Sequence, residues 1–216
     1  MSESETGAIE TSINGDIGTL TIKNHENRNA MNLSMYTQFP EAINGLLDAN
    51  VRVIIVRGYG EEAFGAGSDI SEFDEFRTSE NAGTYDAAEA HAHAALDNAS
   101  VPTVAMIYGA CRGGGLALAL ACDLRFASEE ASFAAPPAKL GIAFPHQAVK
   151  ALTHAVGDAH ARYLLLTAST IDSTEAHRIG LIHEISEKSE LEGAINSVTS
   201  KICKLAPQSL TAAKIS

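Results

Sequence analysis

The chain has 216 residues, 45% hydrophobic and 19% charged, a composition that builds a folded core and excludes a disordered protein. A formal charge of −12 argues against nucleic acid or an anionic membrane as partner, because either needs a basic face. Cys111, Cys122 and Cys203 lack metal-ligand spacing, the first ten residues are acidic, and no apolar run nears the roughly 20 residues of a membrane span, so a soluble, cytoplasmic protein without a metal site is expected.

Residues 7–22 alternate apolar and polar about Asn14-Gly15-Asp16 and predict a β-hairpin. Met35, Phe39, Ile43, Leu46 and Leu47 predict a helix over 34–47, which Pro40 opposes. A strand is predicted over 51–58. The acidic, alanine-rich residues 71–99 predict a helix with a break at 81–84. A strand over 103–108 runs through a turn into a helix of small residues. Short strands are predicted near 124–127 and 131–134, helices over 147–156, 158–166 and 190–205, and a strand over 181–185. The residues after Pro207 look like the start of a further helix. No linker divides the chain, and strands alternating with helices predict an α/β fold in one domain.

Gly113-Gly114-Gly115 opens the helix after the strand at 103–108. The first N–H groups of a helix have no intrahelical acceptor, and the positive end of its dipole lies there. Three missing side chains let a ligand oxygen reach the backbone, which suits a phosphate or a developing oxyanion. Leu116 and Ala117 follow where a phosphate-binding loop needs Lys and Ser/Thr, and the dinucleotide spacing G-x-G-x-x-G is missing. Close packing of helix on strand is the plainer alternative. A second turn of small residues, Phe64-Gly65-Ala66-Gly67-Ser68-Asp69-Ile70, follows the strand at 51–58. Two such turns can offer one N–H each to a single carbonyl oxygen.

In order along the chain stand Asn29-Ala30-Met31-Asn32 after Arg28, the turn 64–70, the glycine triplet with Ala121-Cys122-Asp123-Leu124-Arg125, then Lys139-Leu140-Gly141-Ile142, and finally Glu175-Ala176-His177-Arg178-Ile179-Gly180-Leu181-Ile182. This ordered set resembles the enoyl-CoA hydratase/isomerase, or crotonase, superfamily over most of the chain. The resemblance implies a ββα spiral with its core at about 7–188, and with 189–216 as the start of an apparently incomplete C-terminal helical region. It implies a CoA thioester as substrate, with no separate cofactor, and a homotrimer or hexamer as assembly. The thioester carbonyl would sit between the backbone N–H groups of Ser68 and Gly114. Arg28, Ala30 and the turn Ala66, Ser68, Asp69, Ile70 match positions that hold CoA.

Two-carboxylate hydratases of this family carry their acid and base at the positions of Ala117 and Pro137. Neither residue can transfer a proton, so the two-carboxylate mechanism is not expected here. His146 is the only titratable residue in the loop after Gly141 and is the expected acid or base if the protein is catalytic. A solvent-facing helix start after Pro145 is the alternative. His93 is held in reserve; His91 and His93, two apart, cannot share a helix face as metal ligands. Ser68 lacks the glycine that a nucleophile elbow needs at 69, and Asp69 reads as a helix-start carboxylate. Two functions follow: an acyl-CoA lyase or isomerase with altered catalytic residues, or a non-catalytic acyl-CoA-binding protein.

Overall fold

The computed structural model describes residues 7–72 and 82–215. β1 (Ala8–Asn14) and β2 (Ile17–Lys23) form the expected hairpin, turning at Gly15 with φ +59°. β2 also pairs in parallel with β3 (Val53–Gly58), which leads to β5 (Thr103–Ile107), β7 (Leu124–Ser128) and β10 (Glu184–Ser186), in the order β1-β2-β3-β5-β7-β10. A second sheet holds β4 (Ala63–Gly65), β6 (Ala110–Arg112), β8 (Ser132–Ala134) and β9 (Thr170–Asp172) in that order.

Among the described residues the helices are α1 (Leu33–Asp48), α2 (Ala82–Asp97), α3 (Gly114–Ala121), α4 (His146–Thr167), α5 (Ser173–Arg178), α6 (Leu191–Ile202) and α7 (Pro207–Ile215). The chain repeats a strand of the large sheet, a strand of the small sheet and a helix: β3–β4–α2, β5–β6–α3, β7–β8–α4. This is the ββα spiral. No helix among the described residues is long and apolar enough to cross a membrane.

The period of 2 along the parallel strands separates two cores. Ile54, Val56, Ala105 and Ile107 join the larger cluster with α1, α2 and α3. Val53, Ile55, Val104 and Met106 face the other way, onto Leu191, Ile195 and Ile202 of α6. α1 runs unbroken through Pro40 because Met35, Tyr36, Phe39, Ile43 and Leu46 are all buried on one face, and the Asn32 side chain caps it by accepting from Met35 N–H at 2.8 Å. That burial outweighs the roughly 3 kcal/mol that an internal proline costs.

Several expectations need correcting. β4, β6 and β9 lie outside the predicted strands, because three residues are too few to show a period. α5 was not anticipated. The strand expected over 181–185 begins at Glu184. Leu181 and Ile182 instead close the end of α5, with Leu181 N–H donating to Ala176 O at 2.8 Å and Leu181 O accepting from Arg125 Nε at 2.7 Å. The two helices expected over 147–166 are the halves of α4, which leaves helical geometry at Gly157 (φ +76°, ψ 161°). Of the helix expected over 71–99, Ile70–Glu72 form a 3-10 turn and α2 begins at Ala82, inside the expected break; residues 73–81 lie outside the described residues.

Candidate active site

Two strands of the small sheet deliver the two turns singled out above. β4 runs into Ala66-Gly67-Ser68, and a short parallel bridge pairs Ser68 with Met31. Met31 N–H donates to Gly67 O and Asp69 N–H to Met31 O, each at 2.8 Å. In such a bridge the residue between the two bonds turns its own N–H away from the partner strand. β6 runs into Gly113, whose N–H donates to Ala134 O at 3.0 Å, and α3 begins at Gly114. Among the described residues, neither Ser68 N–H nor Gly114 N–H has a hydrogen-bond acceptor.

The two turns touch through backbone. A methyl carbon added to Gly114 would lie 3.4 Å from Ser68 N, and one added to Gly67 would lie 3.5 Å from Gly114 N. Each glycine of the triplet answers a different demand. Gly113 has φ +51° and ψ −123°, which side chains avoid. A Cβ on Gly114 would strike the Tyr36 hydroxyl, and one on Gly115 would strike the Gly65 carbonyl. Tyr36, fully buried on α1, bonds Ser68 Oγ at 3.1 Å, so this serine's hydroxyl meets a phenol and no base.

A cavity of about 70 Å³ opens beside these turns, lined by Ser68, Gly114, Pro137, Phe144, Ile142 and Glu89, among others. Glu89 is its one titratable lining residue among the described residues, and it is only 4% exposed. Sequence reasoning missed it inside an alanine-rich helix. A signal was present: Tyr85, Glu89, Ala92, His93 and Leu96 recur at helical spacing, and all five are buried. A carboxylate in an apolar stripe is the anomaly to look for.

His146 is not brought to the site. It is the first residue of α4 and exposed, while Phe144 and Pro145 before it line the cavity. Pro145 starts the helix as its cap and leaves His146 on the outer side, so the expected acid or base role has no geometry behind it. His93 is buried beside Ala117, and burial lowers its pKa to about 4, which keeps it neutral. His93 and Ala117 line one small pocket with Asp97, Ala121, Gln147, Ala148 and Ala151. Pro137 is buried in the cavity wall at the head of a 3-10 turn.

The remaining expected site residues converge around the first turn. Ala66 N–H donates to the carbonyl of Arg28, at 3.0 Å; Arg28 is exposed and has φ +53°. Asn29 fixes this approach, its side chain donating to Ala63 O (2.7 Å) and Tyr59 O (2.9 Å) and accepting from Asn24 N–H (3.1 Å). Ala30 is buried, and Ile70 is 63% exposed. The Asp69 carboxylate accepts from Ser71 N–H, Ser71 Oγ and Asn27 Nδ2, and so holds its own turn. Cys111 and Cys122 are buried, and burial pushes both thiols far up, which removes them as nucleophiles. No group of three metal-ligating side chains occurs among the described residues.

Comparison with known proteins adds a decisive match: the family model described as enoyl-CoA hydratase/isomerase covers residues 12–216. The chain belongs to that family. Among curated relatives, it is 32% identical over 201 residues to the short-chain-enoyl-CoA hydratase of Clostridium acetobutylicum, covering 93% of this chain and 77% of the relative. It is 29% identical over 219 residues to the peroxisomal Delta(3,5)-Delta(2,4)-dienoyl-CoA isomerase of Arabidopsis thaliana, covering 95% and 78%. A solved enoyl-CoA hydratase/carnithine racemase from Magnetospirillum magneticum superposes with a TM-score of 0.92 at 30% identity, over 96% of this chain and 78% of that one. The architecture is therefore that of the enoyl-CoA hydratase/isomerase family.

The neutral His93 has a consequence for stability. Its folded pKa lies below the ordinary value near 6.5, so the unfolded chain binds more protons between the two values and stability rises with pH there. Above pH 6.5 the effect vanishes. On acidification from pH 7 to 4.5 this residue should cost about 2.5 kcal/mol of unfolding free energy. Urea titrations of the wild type and His93→Gln at both pH values check this: the variant should lose less on acidification by about that amount.

Proposed function

We propose that the protein acts on a CoA thioester, seating the carbonyl oxygen between Ser68 N–H and Gly114 N–H. The observation that carries this reading is the pair of unengaged donors beside one cavity, one on a strand-like turn and one at a helix N-terminus. Donors held by fixed backbone stabilise an enolate or tetrahedral oxyanion without reorganising, and one such donor is worth about 3 kcal/mol of barrier. The family and its relatives, hydratases and isomerases of enoyl-CoA, support the same substrate class. Arg28, with Ala30, Ala66, Asp69 and Ile70, would receive the CoA moiety; an exposed guanidinium suits its phosphates. CoA is part of the substrate, and the reaction class needs no further cofactor. Assembly as a homotrimer or hexamer belongs to this reading and rests on the resemblance alone.

Because Ala117 and Pro137 supply no proton-transfer group, we infer lyase or isomerase chemistry other than two-carboxylate hydration. The same absence favours the second reading, an acyl-CoA-binding protein without turnover. A panel of enoyl-, hydroxyacyl- and malonyl-type CoA thioesters separates the two.

The carbonyl seat has its own test. Proline at 114 removes the N–H and is compatible with the first helical position, but its ring meets the Tyr36 hydroxyl. The comparison therefore belongs in a Tyr36→Phe background, between Gly114→Ala, which keeps the donor, and Gly114→Pro, which lacks it. Turnover of a thioester found in the panel should be 10²–10³ lower for proline than for alanine. Equal rates would remove Gly114 from the seat.

A further inference from the structure

Among the described residues the cavity beside Ser68 and Gly114 is lined by one carboxylate, and it comes from neither of the turns. Glu89 projects from α2, is 4% exposed, and shares the cavity lining with both backbone donors and with the apolar Pro137, Ile142 and Phe144. We propose that Glu89 is the proton-transfer residue of this protein, acting on the carbon next to the thioester carbonyl. This rests on the carbonyl seat proposed above.

The placement fits one-base chemistry. With the carbonyl oxygen held by two N–H groups, the Cα–H bond breaks, its proton passes to the Glu89 carboxylate, and the electron pair moves into the carbonyl as an enolate. The resulting carboxylic acid returns the proton either to Cα, which is exchange, or to Cγ of a β,γ-enoyl thioester, which moves the double bond into conjugation. No bond to water forms, and no oxidant or second carboxylate is required. Among the described residues no other titratable side chain lines this cavity: His93 and Asp97 line a separate small pocket with Ala117, His146 is exposed outside it, and the Asp69 carboxylate is turned to Ser71 and Asn27. The substrate class is accordingly a short enoyl-CoA whose double bond lies one carbon beyond conjugation.

The test uses 3-butenoyl-CoA in D₂O, with deuterium incorporation and conversion to crotonyl-CoA read by mass spectrometry, and affinity read by calorimetry. The wild type should exchange and isomerise. Glu89→Gln, which keeps shape and removes the base, should lose exchange by about 10²–10⁴ while its Kd stays within about threefold. Glu89→Asp, one methylene shorter, should fall between them, and His146→Ala should match the wild type. A wild type that binds 3-butenoyl-CoA without exchange overturns the assignment. So does Glu89→Gln exchanging like the wild type, or losing affinity together with exchange, which would mark a structural carboxylate. Should the glutamine variant not fold, Glu89→Asp decides alone, and a wild-type rate there overturns the proposal. If the wild type does not bind the thioester at all, the carbonyl seat itself is wrong.

Discussion

Crotonyl-CoA should be hydrated by this protein at roughly 0.1 s⁻¹ or less, at least two orders of magnitude below the median enzyme turnover of about 10 s⁻¹. Adding water across a conjugated double bond needs one group to activate the water and another to protonate the carbon beside the carbonyl. Each positioned proton-transfer group contributes about 10²–10⁴ in rate. Among the described residues the cavity is lined by one titratable side chain, Glu89, so a second proton-transfer group is missing from that lining. Pro137 stands in the wall and Ala117 lies one turn into α3, 2% exposed, against His93. The measurement is loss of the enoyl absorbance at saturating crotonyl-CoA. A rate near 10 s⁻¹ would mean that an unrecognised pair performs the reaction. Ala117→Glu alone should not restore hydration, since Ala117 lines the small pocket beside His93 and not the cavity beside Ser68 and Gly114.

Lys214→Met should destabilise the fold by about 2–3 kcal/mol, because it buries no cation against Asp123 and leaves that carboxylate, whose side chain is 29% exposed, to be partly rehydrated. Lys214 Nζ donates to Asp123 Oδ2 at 2.8 Å and to Leu96 O at 3.1 Å, with its side chain only 7% exposed. The same Asp123 oxygen accepts from Thr103 N–H (2.7 Å) and Thr103 Oγ1 (2.9 Å). One carboxylate thus joins the start of β5, the end of α3 and the last helix, α7. Methionine keeps most of the aliphatic volume, so the loss reports the charge rather than packing. For a chain of this size the midpoint of thermal unfolding should drop by about 4–12 °C for 2–3 kcal/mol. A drop under 2 °C would show the pair to be solvated and dispensable.

The fold was legible where apolar period and length coincide. β3 and β5 are short apolar runs buried on both faces, and α1 carries its core residues at helical spacing. The second sheet was not legible, because its strands have three residues each and owe their existence to neighbours far along the chain: β6 is held between β4 and β8. The glycine triplet and the Ser68 turn identify themselves because backbone chemistry depends on where side chains are missing. Glu89 was hidden for the opposite reason. An isolated glutamate among alanines looks like a solvated helix face until the fold shows which side is buried. His146 failed as a choice by elimination: the loop after Gly141 does border the cavity through Phe144 and Pro145, but one residue of helical rotation separates the lining from the surface.

The contact between Gly65 and Gly115 has one more consequence. A strand and a helix meet there with no side chain between them, so their separation is set by the hard radii of main-chain atoms and cannot be retuned by substitution. Ser68 lies three residues beyond one side of that contact, and Gly114 directly before the other. The gauge between the two donors is therefore common to any substrate the chain accepts. Selectivity among acyl groups has to be written elsewhere, on the Ile142–Phe144 wall and the α2 face. Those surfaces, Glu89 apart, can change while the spacing of the two donors in the proposed carbonyl seat stays the same.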